Sequence, residues 1–564
     1  MKLRILLFCI YSFITTGVLA QLNGNYTINA AQATGGTNYQ SFTDFAADLG
    51  VNGVSGNVVA TVVPGSGPYN EQVTFMNIPG AGASATVTLD GSGETLTALT
   101  TSTDRHVMRL TDVQYFTVTN LHILRNPASL GGFYGIHIFN SGNHITISQC
   151  SVDISGTNST LFGAYIASGS LTSILDSGDF HFINIINDTA TGGGYGASVF
   201  GKASILATDI VISGNTFYDF HSNGVYLRET DGAVISDNYF DKRTSNVTSF
   251  NCIQIAQAAN INANIFNNYI TVSQTDNGTL TARGIYLFNG TGHKVYNNVI
   301  YNIQLTSGNF TGIEVRSSTT IPQIYFNTIS IDNPATSSGN LYGIKEELSN
   351  TGSMLRNNLI SISQPSTGYE SGLVLGATST LNSAFNSNYN LIWVPNGNVA
   401  MKNSSMPVFF AGLSDWQSVS NQDANSVSLD PQFISPVLPQ PTNVSADNLG
   451  TSIAWITTDI LGYSRGVPPD IGAYEFPSTT GIATFLNAGQ PVCYPNPFSS
   501  TLHVGFGNRT PDGIILYNAV SGMQCYRRIG SDASIDTRDL PAGIYFYEIV
   551  EGEQSLARGK LIRQ

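Results

Sequence analysis

The feature that most constrains this chain is a repeat of about 30 residues that runs through its middle. A glycine followed by alternating apolar residues recurs every 28 to 33 residues, and an asparagine between apolar positions recurs about half a period later. The glycines are Gly135, Gly163, Gly196, Gly224, Gly284, Gly312, Gly343 and Gly372, with Cys252 in one place, and the asparagines are Asn215, Asn238, Asn268, Asn298, Asn327, Asn358 and Asn388. Repeats of this length indicate an elongated array of stacked units.

Two interleaved ladders of this kind predict a parallel β-helix, in which each coil contributes short strands and like positions stack about 4.8 Å apart. An inward asparagine in such a stack can bond to the asparagines above and below it and to turn backbone. A glycine column marks places that need a positive φ or a close backbone approach. Only Ser41–Leu49 has helical periodicity, and we expect it to form a short N-terminal capping helix.

The composition agrees with such an array and excludes other classes. Only 60 of the 564 residues are Lys, Arg, Asp or Glu, and 57 are Gly. This chain is too apolar for intrinsic disorder and too poor in Ala, Glu, Lys and Leu for a helical bundle. The net charge is −14, and residues 21–490 alone carry −16, which argues against a nucleic-acid binder.

The N-terminus has the pattern of a secretory signal peptide over residues 1–20. Lys2 and Arg4 precede a mostly apolar run, and small residues end at Ala20, so the mature chain is expected to start at Gln21. An uncleaved anchor is the alternative interpretation. No other segment approaches 18 apolar residues, so we expect no transmembrane span in the mature chain.

The last 74 residues differ from the rest, because their seven basic and seven acidic residues cancel. They contain Tyr494-Pro495-Asn496-Pro497-Phe498, Ile514 to Asn518, Leu540 to Tyr545 with Gly543, and Gly559 to Arg563 with Lys560. This tail resembles the type A C-terminal sorting domain of type IX secretion cargo in the Bacteroidota. The resemblance implies a small β-sandwich, export by the type IX machinery, removal of the tail and attachment to surface lipopolysaccharide. A sandwich with a binding role of its own is the alternative.

The repeat region resembles the right-handed parallel β-helix proteins of the pectin-lyase-like group. The resemblance rests on the opening segment Val58 to Phe75, on Asp430-Pro431 and on the closing segment Asp470 to Glu475. We therefore expect an all-β chain, with a capped right-handed parallel β-helix over residues 21–476, a linker over 477–490 and the sorting domain over 491–564. Its location would be secreted or on the outer cell surface.

Aromatic side chains recur on the outward side of the predicted strands. Positions +2 and +4 after each ladder glycine point outward, because the apolar positions +1 and +3 point inward. These positions hold Tyr165, Tyr226, Arg228, Tyr286 and Phe288. A stripe of rings beside polar groups can stack on sugar rings, which suggests a glycan-binding face. The alternative is that the rings cover one another by ordinary same-face packing.

The outward positions also hold one charged block, which consists of Glu314, Arg316, Lys345 and Glu347. On adjacent coils Glu314 lies beside Lys345, and Arg316 beside Glu347, as cross-strand ion pairs would, each contributing about 0–1 kcal/mol if exposed. A catalytic interpretation notes that the two carboxylates would be about 8 Å apart, within the range of an inverting glycosidase pair. Arg316 or Lys345 would then neutralise a uronate in a lyase.

No catalytic motif decides between these interpretations. The motif blocks of β-helix polygalacturonases and pectin methylesterases are missing, as are calcium repeats, zinc-ligand spacing, phosphate loops and the Gly-x-Ser-x-Gly elbow. We expect no cofactor, although surface aspartates leave loose calcium binding open. The sequence predicts a surface protein that binds glycan or acts as an adhesin, or alternatively a polysaccharide lyase or glycoside hydrolase. A purely structural rod is a third alternative.

The cysteines offer little chemistry. Cys150 and Cys252 fall on ladder positions four coils apart, about 19 Å along the axis, which is too far for a disulfide. We expect both to be small buried side chains. Cys493 and Cys525 lie in the tail, and the sequence leaves their pairing open.

Overall fold

The structure is a computed structural model, and it is mostly β, with 53% strand and 5% helix. It describes residues 21–563 except 158, 245–248, 257–259, 276–277, 279, 317–320, 348–351, 377–384, 404–405, 477–491, 495–497, 499, 506–511, 519–523, 530–533 and 552–553. The expected signal peptide and linker lie outside the described residues. The chain divides into two compact units, one reaching Gln432 and including Asn448–Tyr474, the other formed by Phe433–Asp447 and Glu475–Gln564.

The first unit is a β-solenoid of about 12 turns, which confirms the predicted fold class. Its strands pair in parallel, coil on coil, and they form three faces. Face 1 consists of Val73–Met76, Phe162–Ser168, Tyr195–Phe200, Asn223–Arg228, Phe250–Ala256, Thr281–Phe288, Asn309–Arg316, Leu341–Glu346, Glu370–Leu375, Asn398–Lys402 and Val408–Phe410. Two long strands, His106–Thr119 and Phe133–Ser148, bend from face 1 into face 2, so these two faces form one 26-stranded sheet.

The other two faces complete each coil. Face 2 consists of Leu22–Ile28, Asn38–Tyr39, Val54–Val62, Val87–Asp90, Asp179–Ile186, Ala207–Ser213, Thr230–Asp231, Val234–Ser236, Asn264–Phe266, Lys294–Tyr296, Gln323–Tyr325, Ser353–Arg356 and Phe385–Asn388. Face 3 is a separate 12-stranded sheet of Tyr69–Asn70, Thr95–Thr97, His122–Leu124, Ser151–Ile154, Thr189–Gly192, Thr216–Tyr218, Tyr239–Asp241, Tyr269–Val272, Val299–Ile303, Thr328–Ile331, Leu359–Ile362 and Leu391–Trp393. Apolar side chains from all three faces fill the interior.

A helix covers the N-terminal end of the solenoid, as the sequence predicts. It spans Phe42–Asn52, and the Ser41 side chain accepts a hydrogen bond from the backbone N–H of Asp44 at 3.0 Å, an ordinary N-cap. The helix buries Phe42, Phe45, Ala46 and Leu49 against the first coils. It ends at Gly53, whose φ of 65° suits a residue without a side chain.

A second helix, Leu413–Ser420, lies at the other end. It follows Val408–Phe410, which pairs antiparallel with Asn398–Lys402 and so ends the parallel stacking. Trp416 is fully buried, packs on Phe410 with ring centroids 5.6 Å apart, and donates its Nε1–H to Asp423 at 2.8 Å. Both ends of the apolar interior are therefore covered by helices.

The asparagine ladder runs through the interior, and Asn298 shows its bonding. The Asn298 Oδ1 accepts hydrogen bonds from the backbone N–H and the Nδ2 of Asn268, one coil earlier, at 3.1 and 2.9 Å. Its own Nδ2 donates to the Ile265 carbonyl and to Asn327 Oδ1, both at 2.9 Å. Each side-chain amide thus forms hydrogen bonds with the coil before it and the coil after it. These bonds satisfy its polar atoms, which explains how a fully buried polar column is retained.

The two ends of this ladder differ from the sequence expectation. Its last member is Asn390 and not Asn388, because Asn390 Oδ1 accepts the backbone N–H of Asn358 at 2.9 Å. At the other end the ladder continues to an aspartate. The N–H of Asp188 donates to Asn215 Oδ1 at 2.8 Å, and Asp188 Oδ1 accepts the N–H of Cys150 at 2.6 Å. Asp188 therefore occupies an asparagine position in the stack.

The glycine column reflects close approach of the backbone. A Cβ placed on Gly284 would lie 2.6 Å from the carbonyl oxygen of Gly312, and one on Gly312 would lie 2.8 Å from that of Gly343. Neither glycine has a positive φ. At these two positions glycine is therefore required because a side chain would collide with the next coil, and not because the backbone has a positive φ.

The segment Asn448–Tyr474 packs along the side of the solenoid. Trp455 contacts Tyr296 edge-on, with ring centroids 5.0 Å apart. The side-chain amide of Asn357 donates to the Thr451 carbonyl at 2.7 Å and accepts from the Thr451 N–H at 2.8 Å. The N–H of Ala473 donates to Thr328 Oγ1 at 2.8 Å. The closing segment expected at Asp470 to Glu475 thus lies, in its described part within this unit, against the last coils.

The second unit contains a short hairpin, Phe433–Ser435 with Leu438–Pro441, a 3-10 turn at Val444–Ala446, and two antiparallel sheets. One sheet has the strands Val492–Tyr494, Thr501–Gly505 and Ser534–Asp536, and the other has Gln524–Arg528, Gly513–Asn518, Gly543–Glu551 and Gln554–Arg563. A small core that includes Phe498, Leu516 and Tyr545 joins the strands of the two sheets. These small C-terminal sheets agree with the expected β-fold of the tail.

All four cysteines of the described residues are free thiols. Cys150 and Cys252 are buried in the solenoid, and burial raises the pKa of both thiols. In the tail, burial raises the pKa of Cys493 to about 12. All three of these thiols therefore stay protonated at neutral pH.

Candidate functional site

The outward side of face 1 carries the residues that the sequence selects, and strand pairing fixes their order. One column runs through Arg109, His137, Ile166, Ser198, Tyr226, Gln254, Tyr286, Glu314, Lys345 and Val374. A second column runs through Phe200, Arg228, Ala256, Phe288 and Arg316. Both columns agree with the sequence prediction except at one coil.

Tyr165 is the exception, and its prediction as an outward binding residue is wrong. Gly163 pairs with Tyr134, so the strand lies one residue out of the expected register and Tyr165 pairs with the inward Ile136. Tyr165 is fully buried, and its hydroxyl donates to the carbonyls of Cys150 and Thr189 at 3.2 and 3.0 Å. A one-residue change of register moves every side chain of a strand to the other side, so Ile166 takes the outward place.

The charged block forms a connected ion-pair cluster. Lys345 Nζ lies 3.6 Å from Glu314 Oε2 and 3.7 Å from Glu347 Oε1, and Arg316 Nε lies 3.0 Å from Glu347 Oε2. The structure thus brings all four predicted residues together in the predicted pairs. It adds Arg283, whose Nε lies 2.9 Å from Glu314 Oε2. We name these five residues the ion-pair cluster.

Glu314 and Glu347 have different surroundings within this cluster. The Glu314 side chain is 0% exposed and contacts two cations, while its Oε1 has no hydrogen-bond partner. Glu347 is 32% exposed, and its neighbour Arg316 is 44% exposed. The predicted outward direction of Glu314 is correct, but the side chain is covered, because Arg283 and Lys345 lie across it. The Arg316–Glu347 end is the most exposed part of the cluster.

Guanidinium groups stack on the aromatic rings of the outward columns. Arg228 lies 4.0 Å from the ring centroid of Phe200, and Arg316 lies 5.3 Å from that of Phe288. Arg283 lies 4.5 Å from the ring centroid of Tyr286, which is nearly buried. Burial raises the pKa of Tyr286 above its ordinary value, so the phenol stays neutral. The rings are thus partly covered by cations, while Phe288 remains half-buried.

Tyr226 lies at the boundary of a covered part of face 1. Its ring is half-buried and packs on Tyr195 with centroids 5.7 Å apart. Tyr195 belongs to an apolar cluster with Tyr134, Ile166 and Ile174, and Ile174 comes from the connection between Phe162–Ser168 and Asp179–Ile186. That connection covers the earlier coils of the outward side.

A histidine cluster lies in the earlier coils of the outward side. His106 Nδ1 lies 2.6 Å from Asp104 Oδ1, and His137 Nε2 lies 3.0 Å from Ser168 Oγ. Burial lowers the pKa of His106 to about 4 and that of His137 to about 3, so both imidazoles are neutral at pH 7. Because both side chains are nearly fully buried, they fix neighbouring coils and do not face solvent.

Sequence reasoning missed two charged residues near the ion-pair cluster. Arg283 precedes a ladder glycine, and its column of Asn223, Asn251, Arg283, Thr311 and Tyr342 lies outside the two that the alternation selects. Glu346 lies in the inward column, paired with Val315 and Leu375, and burial raises its pKa to about 8. A carboxylate three residues after Gly343, where the other coils have apolar residues, is the signal that would have found it.

The described residues show no arrangement suited to a metal. Among them, no group of three or more His, Cys, Asp or Glu side chains is placed to hold an ion. No helix within the described part of the chain is long and apolar enough to cross a membrane.

The sorting-signal residues divide between described and undescribed parts. Tyr494 ends the strand Val492–Tyr494, Gly543 begins Gly543–Glu551, and Lys560 pairs with Phe546 in the last strand. Pro495, Asn496 and Pro497 lie outside the described residues.

Comparison with known proteins agrees with the interpretation of the tail. Residues 492–564 match the family model of the secretion system C-terminal sorting domain. None of the curated proteins matches the chain. Among solved structures, the chain is similar to a crystal structure of the GH136 lacto-N-biosidase from Eubacterium ramulus, with 9% identity and a TM-score of 0.30.

That likeness covers 57% of this chain and 64% of the lacto-N-biosidase chain, so this protein spans less than two thirds of that structure's length. At so low a TM-score it says nothing about a shared activity. The sorting domain and the observed fold together describe the protein. The chain is a β-solenoid protein that carries a type IX secretion system C-terminal sorting domain, which marks it for secretion or attachment to the cell surface.

Proposed function

We propose that the protein binds an extracellular glycan along the outward side of face 1, as a surface binding protein or adhesin that does not cleave its ligand. The observation that carries this proposal is a pair of guanidinium–aromatic stacks in one column, Arg228 on the buried ring of Phe200 and Arg316 on the half-buried ring of Phe288, with both guanidinium groups partly exposed. Tyr226 and Tyr286 stand in the adjacent column beside them.

The chemistry of these groups suits sugars. A half-exposed ring offers an apolar surface to the C–H side of a pyranose, and a guanidinium offers several fixed donors to its hydroxyls. Among the described residues, the buried atoms of this region without a hydrogen-bond partner include Arg228 Nε and Glu314 Oε1. Buried polar atoms normally find partners, so these two favour a ligand or water beside them.

The ion pairs argue against catalysis by the same residues. A general acid must carry a proton and reach the leaving oxygen. Glu314 is fully buried beneath Arg283 and Lys345, so its carboxyl group does not reach a ligand on the surface. Lys345 lies between two carboxylates, 3.6 Å from Glu314 and 3.7 Å from Glu347, so its ammonium group is already engaged in ion pairs. The cluster is therefore better suited to hold the strands of this face in register than to transfer protons.

A binding assay with matched variants tests the proposal. Mature full-length protein would be titrated with pectins, alginate, mannans and glycosaminoglycans, and each variant compared with the native chain. We expect Phe288→Ala or Tyr226→Ala to weaken binding by about tenfold or more, since a lost aromatic contact costs roughly 1–2 kcal/mol. Phe182→Ala is the control, because Phe182 is 42% exposed in a face 2 strand. Equal loss in all three variants, or no binding to any glycan, would refute the proposal.

The alternative function is a polysaccharide lyase or glycoside hydrolase that uses Glu314 and Glu347. One observation favours it: both carboxylates contact the same Lys345 Nζ, so the contacting oxygens lie within about 7 Å of each other, close enough for a carboxylate pair. Product release from any glycan, lost in Glu314→Gln or Lys345→Ala while the fold is retained, would establish this alternative and contradict the binding proposal.

A further inference from the structure

Three aromatic side chains form a stack at the surface of face 2. The ring centroids of Tyr115 and His144 are 4.3 Å apart, with 12° between the ring planes. Those of His144 and Phe182 are 4.2 Å apart, with 20° between the planes. Strand pairing places the three residues at one register position on successive coils. The stack therefore runs along the axis of the solenoid.

The backbone at these positions is unusual for large side chains. The angle φ is 51° at Tyr115, 54° at His144 and 53° at Phe182. The next two coils have Asp209 and Gly232 at the same register position, and residues of these types adopt a positive φ more readily. For tyrosine and phenylalanine such a backbone is an outlier that costs free energy, and outliers of this kind concentrate at functional sites.

The stack ends at Phe182, whose ring is 42% exposed although His144 covers one of its faces. Because the rings stack along the axis, the second face of Phe182 points to the next coil, where Asp209 lies. Asp209 is exposed, and within the described part of the chain its carboxylate forms no ion pair and no side-chain hydrogen bond. One coil further, a Cβ added to Gly232 would meet nothing within 4 Å, so the space beyond the carboxylate is open.

Another phenylalanine with the same backbone conformation is covered by an arginine. Phe326 also has a φ of 53°, but its side chain is fully buried, and the guanidinium of Arg465 lies 4.0 Å from its ring centroid. Arg465 belongs to the segment Asn448–Tyr474, and its Nη2 donates to Asn297 Oδ1 at 2.8 Å. An arginine on a segment that packs along the solenoid thus completes this position. Phe182 has no equivalent cover among the described residues.

We propose that Phe182 and Asp209 bind the guanidinium group of an arginine on a partner protein. A planar guanidinium can stack on the second face of Phe182 while it donates N–H groups to the Asp209 carboxylate, one coil or about 4.8 Å further along the axis. The charge favours such a partner, since residues 21–490 carry −16. This site lies on face 2 and does not depend on the glycan proposed for face 1.

A peptide titration tests the chemistry of this site. The probe is acetyl-Ser-Arg-Gly-amide, the sequence of residues 464–466, and its binding to the native mature protein is measured by saturation-transfer NMR. Citrulline in place of the arginine keeps the planar shape but removes the charge, so we expect binding to weaken by about fivefold. Lysine keeps the charge but has no planar group to stack, so we expect a similar loss. Equal affinity for all three peptides would overturn the proposal.

Matched variants locate the binding. Phe182→Leu keeps an apolar side chain but removes the ring, and Asp209→Asn removes the carboxylate, so each should weaken binding of the arginine peptide by about fivefold. Asp176→Asn is the charge control, because Asp176 is also exposed, and it should bind like the native chain. Native affinity in Phe182→Leu, an equal loss in Asp176→Asn, or no binding by the native chain would contradict the proposal.

Crystals of the mature native chain soaked in arginine amide supply a test that needs no variant. We expect flat density parallel to the Phe182 ring and within hydrogen-bond distance of the Asp209 carboxylate. An empty ring face, or a methyl glycoside that occupies it while arginine amide does not, would overturn the proposal. Dimerisation of the native chain that is lost in Phe182→Leu would also overturn it, because the occupant would then be a second copy of this chain.

Discussion

Replacing Asp188 by asparagine should stabilise the solenoid. Asp188 occupies the first position of the asparagine ladder, where its Oδ1 accepts the N–H of Cys150 but its Oδ2 is buried without a partner. At the equivalent position one coil later, Asn215 Nδ2 donates to Ile185 O at 2.8 Å and to Asn238 Oδ1 at 3.0 Å. An amide at position 188 would supply the donor that an ionised carboxylate lacks.

The size of the effect follows from burial. Asp188 is 1% exposed, and burial raises its pKa well above the ordinary value. Leaving one buried polar atom unsatisfied costs about 1–3 kcal/mol, so we expect Asp188→Asn to gain about that much at pH 7. For a solenoid of this length the gain corresponds to a rise in melting temperature of roughly 1–3 °C.

The gain must depend on pH in one direction. The pKa of Asp188 is raised in the folded chain. The native chain is therefore most stable while Asp188 is protonated, and its free energy of unfolding falls as the pH rises above about 4, the pKa of this carboxyl group in the unfolded chain. The variant does not titrate. Its advantage should therefore be small near pH 4, grow with pH, and become constant above the folded pKa.

Urea unfolding of both proteins from pH 4 to pH 8 measures this difference, and exchange of the Cys150 amide reports the local bond. Asp209→Asn is the control, because Asp209 is exposed and the same charge is removed. A variant that is less stable than the native chain at pH 7, or an advantage that is equal at all pH values, would refute the reasoning.

Three further predictions concern buried polar groups. Asn298→Ala should lower the free energy of unfolding by about 2–5 kcal/mol in urea unfolding, since it removes the acceptor of both Asn268 donors; a loss below about 1 kcal/mol would contradict the ladder's role. Tyr165→Phe should cost about 1 kcal/mol by the same assay and leave glycan binding unchanged, and weakened binding would contradict its inward position. Glu346→Gln should increase stability progressively from about pH 4 to beyond pH 8, because the raised pKa makes ionisation of Glu346 destabilising; a gain already complete at pH 5 would contradict the pKa.

The sequence predicted the parts of the fold that depend on periodicity. The helix predicted over Ser41–Leu49 forms at Phe42–Asn52, and the columns of Tyr226, Tyr286 and Glu314 follow from counting residues after each glycine. The same counting failed at Gly163, because the neighbouring Ala164 is small enough to take the ladder position there. One residue of ambiguity was sufficient to place Tyr165 on the wrong side.

The solvent exposure of a side chain was harder to predict than the side of the strand on which it lies. The sequence places Glu314 on the outward side, but only the structure shows that long side chains from the neighbouring coils cover it. Coils lie about 4.8 Å apart, so an Arg or Lys on one coil easily reaches across the next. The role of Arg283 could not be derived from alternation alone, because strand pairing and side-chain conformation together bring it to Glu314.

The most direct test of the proposed function combines binding and turnover in one sample. The mature protein would be incubated with the glycan that it binds most tightly, and the molar mass of the polymer would be followed by size-exclusion chromatography with light scattering. We expect the polymer to keep its mass while it co-elutes with the native protein, and to elute free of the Phe288→Ala variant. A falling polymer mass with the native protein, and a constant mass with Glu347→Gln, would show that the face is catalytic and would contradict the account.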